Sequence, residues 1–321
     1  MKIKFFVDTY DGLTIEVNAN EKTKQVFQQY FDCNLDNTYP TADYIVNYCG
    51  TMPKIVVPNN AKMLHAFLGA KYNVWNSNNK TMAYAESNQL KGSHLCCRKN
   101  NVIDVYVGPN ENEEIVFRIV REIIFRYLIS NGYVPMHASA SIDNNNKAHL
   151  FFGQRGAGKT VMLCSRLQNK KESILATDVI MLNRYNDQFY GCGFPLRFSF
   201  DKKMPELFNI QVDSSIFNGD EKVRIPNSML TNMFQSKMVW KTTPIEDFSQ
   251  VKFNKDTPLS NSKIEITPES YDCYMDKWHY GDFLQLTPNT AIDFNNIYKH
   301  IKYKLVEGDF VKQEGDLEKD V

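Results

Sequence analysis

Apolar and polar residues alternate one by one on both sides of Asp11-Gly12, with Ile3, Phe5 and Val7 before it and Leu13, Ile15 and Val17 after it. A period of two across such a turn predicts an antiparallel hairpin. The period then changes. In Glu21 to Phe31, residues Val26, Phe27, Tyr30 and Phe31 gather on one face at helical spacing, which predicts a helix. Strand alternation returns at Tyr44, Val46 and Tyr48, in a second hairpin turning at Ser77-Asn78-Asn79-Lys80, and over Val102 to Val107. From Glu113 to about Asn131 the chain reads as a second helix. It is nearly all apolar apart from a stripe of Arg118, Arg121, Glu122 and Arg126, and Asn131-Gly132 supplies a stop. Such a helix is expected to be mostly buried and to pack on the sheet that follows it. The predicted division is an N-terminal α/β domain over 1–110, a second domain over 111–310 and a charged tail over 311–321.

The second domain opens with a small-residue strand, Val134 to Ile142, a polar turn at Asp143 to Asn146, and an apolar run ending in Leu150-Phe151-Phe152. That is a hairpin. The run breaks into Gly153-Gln154-Arg155-Gly156-Ala157-Gly158-Lys159-Thr160, and Val161 to Leu167 then has the pattern of a helix start. Ser173 to Leu182 is predicted as one buried strand interrupted by Asp178, followed by a hairpin around Asn186-Asp187. Lys222 to Pro226 and Ile245 to Phe253 read as further strands, and Trp278-His279-Tyr280 begins a terminal segment.

Composition narrows the classes. The chain has 321 residues, 43% hydrophobic and 13% aromatic, which is globular and not disordered. Lys+Arg and Asp+Glu are both 37, so the formal net charge is zero and nothing in the bulk charge favours nucleic acid or an acidic membrane. Met1-Lys2-Ile3-Lys4-Phe5 runs directly into strand alternation, so no leader is expected, and the charges within Ile115 to Ile129 argue against a membrane span. The seven cysteines have no metal-ligand spacing, which fits free thiols and a cytoplasmic location.

The glycine loop carries the candidate chemistry. Gly153-x-x-x-x-Gly158-Lys159-Thr160 between a strand and a helix is the phosphate-binding pattern. Three glycines let successive N–H groups from Gly153 through Val161 turn inward toward one anion, and the helix N-terminus adds partial positive charge there. Lys159 is expected to reach the β- and γ-phosphates of a nucleoside triphosphate, taken as ATP, and the Thr160 hydroxyl to ligate Mg²⁺. Asp178 is the carboxylate expected to hold Mg²⁺ or to accept a proton from an attacking hydroxyl. His137, on the strand paired with the one feeding the loop, reads either as a satisfied core histidine or as an active-site group. Arg155 and Arg197 are candidate charge stabilisers, and Arg197 and Arg224 candidate substrate contacts. His65, His94, His149, His279 and His300 carry no local signal.

The segments Met136-His137-Ala138-Ser139-Ala140, Leu150 through Thr160 and Leu175-Ala176-Thr177-Asp178-Val179, in that order, resemble the HPr kinase/phosphorylase family. Within it, the likeness is to HPr kinase-related proteins that have an N-terminal extension. The resemblance is strong over about 134–182 and weak elsewhere. It implies a mixed α/β fold in which 111–310 is a P-loop core of the HPr kinase C-terminal type, akin to phosphoenolpyruvate carboxykinase. It also implies an ATP- and Mg²⁺-dependent kinase acting on a hydroxyl, with Asp178, His137 and Lys159 as catalytic residues, and it allows a homo-oligomer. Where the regulatory enzymes have Asp-Asp, this chain has Thr177-Asp178. The acceptor is expected to be a Ser or Thr of a peptide or protein, recognised through the N-terminal domain, or else a small hydroxylated metabolite. A non-catalytic nucleotide-binding regulator or scaffold is the alternative.

Overall fold

A computed structural model of the chain describes residues 3–9, 12–31, 39, 41–65, 71–86, 92–108, 114–255, 260–264, 282–287, 295–309 and 311. The chain divides into two compact units. One comprises Met1–Gln28, Cys33–Gly132 and Lys277–Ala291; the other comprises Gln29–Asp32, Tyr133–Asp276 and Ile292–Val321. Both the sequence around Trp278-His279-Tyr280 and the tail after Val311 lie outside the described residues. The fold is mixed α/β, with parallel and antiparallel pairs in the same sheets. No helix among the described residues is long and apolar enough to cross a membrane.

The first unit is built on eight strands, β1 (Ile3–Thr9), β2 (Leu13–Ala19), β3 (Tyr44–Thr51), β4 (Lys62–His65), β5 (Lys71–Ser77), β6 (Lys80–Ala85), β7 (His94–Lys99) and β8 (Val102–Val107), in the order β1-β2-β3-β8-β7-β6-β5-β4. The alternation puts Ile15, Val17, Val46, Val74, Ala83, Cys96, Ile103 and Val105 on one buried face. Helices α1 (Glu21–Phe31) and α2 (Glu114–Ser130) supply the opposing apolar surface, and Phe27 meets Phe117 edge to face at 5.1 Å.

Here the structure corrects two expectations. α2 belongs with the first unit, packed on β2 and β3, so the division falls after Gly132 and not at 110. Arg121, Glu122 and Arg126 are buried, and Arg126 donates to Glu122 at 2.7 Å, one turn away. A charged pair that satisfies itself inside the unit costs far less than either charge alone, so the helix can be buried almost all round.

The same unit contains a piece of chain from much later. Phe283 stacks on Tyr72 with ring centroids 3.7 Å apart, Leu284 is fully buried, and Arg98 donates to the carbonyls of Leu284, at 2.9 Å, and Gln285. Asp282 sits 3.8 Å from Arg126 and accepts from the Thr287 amide and hydroxyl, closing the segment on itself. Tyr72 is also hydrogen-bonded to the buried His94 at 2.9 Å.

The second unit is a mixed sheet of β9 (Val134–Met136), β10 (Ala138–Ile142), β11 (Ala148–Phe152), β12 (Ser173–Ala176), β13 (Ile180–Tyr185), β14 (Gln188–Gly193) and β17 (Thr243–Phe253), ordered β12-β10-β11-β17-β14-β13-β9. β19 (Tyr303–Gly308) runs parallel to the C-terminal half of β17, and β18 (Ser260–Ile264) pairs with β19. A separate ribbon joins β15 (Phe198–Asp201) to β16 (Lys222–Ile225). Helix α3 (Lys159–Lys170) packs on β10, β11 and β17 and, through Leu163 and Leu167, on an apolar cluster with Phe198, Phe200, Phe208 and Phe234. Two short helices, α4 (Met204–Phe208) and α5 (Asn227–Phe234), contribute to that cluster; α6 (Asn295–Tyr298) packs against the sheet through Ile297 and Tyr298.

Two expected strands are each split. Val134 to Ile142 is two strands meeting at His137, and Ser173 to Leu182 is two strands separated by Thr177, Asp178 and Val179. The four halves form one antiparallel ladder opened in the middle. Ile180 pairs with Met136 below the gap and Ala176 with Ala140 above it, in the same register. The gap is where His137 and Asp178 sit.

Candidate functional site

β11 delivers the chain to Gly153, where a Cβ would lie 2.8 Å from the Val251 carbonyl oxygen and 2.9 Å from the Ala157 Cβ. Only glycine fits that approach. The loop then closes on itself and onto β17. The Ala157 amide donates to Gln154 O at 3.0 Å, and Ala157 O accepts from the Phe253 amide at 2.8 Å. Gly156 (φ 84°) and Gly158 (φ 94°) take left-handed conformations, and no side chain caps α3. The first-turn N–H groups of Lys159, Thr160 and Val161 therefore face outward from the helix end, where an anion can meet them.

Lys159 is buried and folds back. Its ammonium donates to Gly153 O at 2.8 Å and Gln154 O at 3.2 Å, spanning the mouth of the loop. Burial pulls its pKa below the ordinary lysine value, Asp178 pulls it back up, and the Lys222 charge pushes it further down. Thr160 is half-buried in the first helical turn. Val161 packs into the apolar clusters, so only its backbone faces the loop, while Gln154 and Arg155 are exposed.

His137 Nε2 lies 2.9 Å from Asp178 Oδ1. Burial would raise the Asp178 carboxyl, but the His137 hydrogen bond and charge, with Arg224 and Lys159 behind them, hold it below the ordinary carboxylate range. The opened ladder is what allows the pair to form. In a regular strand both side chains would be committed to the sheet faces, whereas here two bends release them toward each other. Ser139 braces the bend by donating to Thr177 O at 3.0 Å while buried. Its polar role had no signal beyond standing two residues after His137.

The structure thus brings Lys159, Asp178 and His137 into one electrostatic neighbourhood, with Arg224 within range from β16. It does not bring Arg197 there. That guanidinium donates to Gln29 Oε1 at 3.0 Å and lies over the Tyr30 ring, 5.0 Å from its centroid. Lys222, which the sequence did not single out, joins the site's field through Lys159. Among the described residues, no three His, Cys, Asp or Glu side chains converge as a metal cage. The donors at hand, one carboxylate and the Thr160 hydroxyl, suit Mg²⁺, which keeps waters and takes most of its protein contact from one or two oxygens beside phosphate.

A second polar cluster lies at the other end of β11. His149 stands 3.6 Å from Asp143 and 3.3 Å from Asp247, and Lys304 donates to Asp247 at 2.7 Å. Burial would raise Asp247, but the bonds from His149 and Lys304 draw it down to about 2. This cluster ties β11, β17 and β19 together, and His149 has no distinguishing neighbour along the chain.

No family model matches the chain, and no curated protein matches it. Among solved structures it is similar to the Hpr(Ser) kinase/phosphatase from Coxiella burnetii, at 12% identity over 55% of this chain and 85% of that one, with a TM-score of 0.27. At that level the likeness assigns no residue a role.

Proposed function

We propose that the second unit is a nucleoside-triphosphate-dependent phosphotransferase whose acceptor is a hydroxyl. The observation that carries this is a carboxylate, Asp178, fixed by His137 at 2.9 Å in a gap of the sheet and within the electrostatic reach of the buried lysine of a glycine loop. The triphosphate of ATP would replace the Gly153 and Gln154 carbonyls as the partner of Lys159, while the loop and first-turn amides surround its β-phosphate. Thr160 would hold Mg²⁺, with Asp178 reaching it only through water, and the ion when bound neutralises charge on the phosphate oxygens.

Asp178 has a second oxygen besides the one facing His137, and that oxygen takes the acceptor proton. The acceptor oxygen forms its bond to the γ-phosphorus as the bond from that phosphorus to the bridging oxygen breaks. The nucleoside diphosphate leaves with that oxygen, and the proton stays on Asp178. His137 orients the carboxylate and keeps it ionised until the transfer.

Transfer of labelled γ-phosphate in a single turnover tests this, with Mg²⁺–ATP affinity measured by calorimetry alongside. Lys159→Ala should weaken binding at least tenfold, and Asp178→Asn should keep binding within a few-fold while cutting transfer by about two orders of magnitude. Parental affinity in Lys159→Ala would sink the loop reading. Binding without any transfer in the parent would favour a nucleotide-binding regulator, a reading to which the single carboxylate beside Thr177 lends itself.

A further inference from the structure

We propose that the cup in which α3, α4 and α5 end is a docking site for an extended peptide that carries a bulky apolar residue beside an acidic one. The site lies away from the phosphate loop. It rests on the phosphotransferase reading for one point, that the docked peptide belongs to the acceptor.

The cup is a cavity of about 410 Å³, within the size range of sites that hold an organic ligand. Its floor is apolar. Phe208 and Phe234 are buried and meet edge to face with centroids 5.9 Å apart, and the half-buried Ile210 and Met233 complete it. Its rim is polar. α3 is capped by Lys171, α4 by Asn209 and α5 by Gln235, all exposed and all in the left-handed region, with φ of 54°, 50° and 50°. Three helices thus turn back at one place, with each capping residue on the cup. Gln168 donates to the Phe208 carbonyl at 3.3 Å, which ties the end of α3 to the end of α4.

The chemistry of the rim selects the ligand. Gln168, Asn209, Gln211 and Gln235 are carboxamides, and each offers a donor and an acceptor, the same pair that a peptide unit carries. A main chain laid across them can pair its N–H and C=O groups while one side chain enters the apolar floor. The charge is one-sided. No carboxylate lines the cup. Lys171 is on the rim, Lys170 precedes it, and Lys237 follows Gln235 by two positions; all three are exposed and none makes an ion pair among the described residues. The acid next in sequence, Glu172, is buried and accepts from Arg166 at 2.9 Å. A carboxylate beside the entering side chain therefore meets unclaimed ammonium groups, which complements the rim where a second basic chain would be repelled. The competing explanation is that these lysines only complement the C-terminal end of the α3 dipole and the cup is unused surface.

The cup and the phosphate loop stand at opposite ends of α3, whose 12 residues span about 18 Å. An extended chain advances about 3.3 Å per residue. The docking residue and the hydroxyl that receives phosphate are then at least about six positions apart.

Fluorescence anisotropy with the full chain and labelled synthetic peptides tests the site without nucleotide. One peptide has Leu between two Asp residues, a second has Ala in place of the Leu, and a third has Lys in place of both Asp residues. We expect the first to bind at least about tenfold more tightly than either of the others. Lys171→Glu should remove the preference for the first peptide over the third. Gln211→Trp, which fills the cup from its exposed rim, should weaken the first peptide to the level of the second. Both positions are exposed, so both variants should fold, and thermal melting checks that. Equal affinity for all three peptides, or preferences unchanged in both variants, would overturn the proposal. An affinity that follows the Leu but ignores the Asp residues would make the cup a general apolar site and overturn it as well.

Transfer is read separately, with Mg²⁺–ATP and one Ser placed two, four, eight or twelve residues from the Leu. At low peptide concentration the Leu should speed transfer at the two longer spacings only. A gain at every spacing, or at none, would overturn the assignment of the docked peptide to the acceptor. Docking that persists in a chain with no transfer to any acceptor would leave the site standing and remove the phosphotransferase reading.

Discussion

At the scale of single residues, what could be read from sequence was what is local in sequence. The loop from Gly153 to Thr160 announces itself because every group it needs lies within eight positions. Asp178 also stood out, as a carboxylate in an apolar run. The partners of His94 and His149 did not, since Tyr72 lies 22 positions from His94 and Asp247 lies far along the chain from His149. Arg197 shows the opposite error, a cation placed near chemistry by proximity in sequence but claimed by Gln29 and Tyr30. The folded value of Asp247 is lowered to about 2, so its contribution to stability is complete above the ordinary carboxylate range and is lost as pH falls through 4 toward 2. That contribution is on the order of 2 kcal/mol. Asp247→Asn should therefore lower the melting temperature near neutrality and flatten its decline over that window; an unaltered acid profile would show that the His149–Asp247–Lys304 cluster is not a stabilising contact. Asp178 is also lowered, so the acid limb of the transfer rate should fall below the range of an ordinary carboxylate. His137→Asn should move that limb upward, and an unmoved limb would detach His137 from the carboxylate's titration.

At the scale of elements, strands that have one wet face were legible and those without were not. β5 and β6 alternate around Asn78 and Asn79, both with positive φ as a tight hairpin turn requires, and the sequence shows them plainly. β7 escaped notice because His94, Leu95, Cys96 and Cys97 are all buried, which leaves no alternation to read. The opened ladder escaped for a related reason. Thr177 and Val179 are as buried as the strands on either side, so nothing in their polarity marks the bends. Glycines at element contacts give a sharp contrast to test. At Gly193 on β14, an added Cβ would land on the Leu175 carbonyl of β12, two backbones with no room to separate. Gly193→Ala should cost about 3 kcal/mol or more in denaturant titration, in the range of severe overpacking. Gly156 has nothing within 4 Å of that position and only its φ of 84° to lose, so Gly156→Ala should cost about 1 kcal/mol. Equal losses at the two sites would mean that backbone strain, and not the β12–β14 approach, sets the penalty.

At the scale of the whole molecule, the sequence suggested consecutive domains, and the structure has a first unit whose chain is not consecutive. The hydrophobic pattern of 282–287 resembles any short loop; only the Tyr72 ring and the Arg98 and Arg126 guanidinium groups that receive it reveal its place. Phe283→Ala should destabilise the first unit by roughly 3–5 kcal/mol, the cost of deleting a buried aromatic side chain. Thermal unfolding followed by near-UV circular dichroism would report it, and a loss below about 1 kcal/mol would make the stacking on Tyr72 incidental. A chain shortened to begin at Glu111 carries α2 without the strands that bury it, and one beginning at Tyr133 still exposes Phe283 and Leu284; both should be poorly soluble. The late segment also has a meaning in time. Translation proceeds from the N-terminus at about 5–20 residues per second, so the eight-stranded sheet must wait on the ribosome for its last hydrophobic residues until nearly the whole second unit has emerged. The first part of the protein to be made cannot be finished until most of the second has been made, and any pause in synthesis between Gly132 and Asp282 lengthens the interval in which a nascent sheet is left for chaperones to guard.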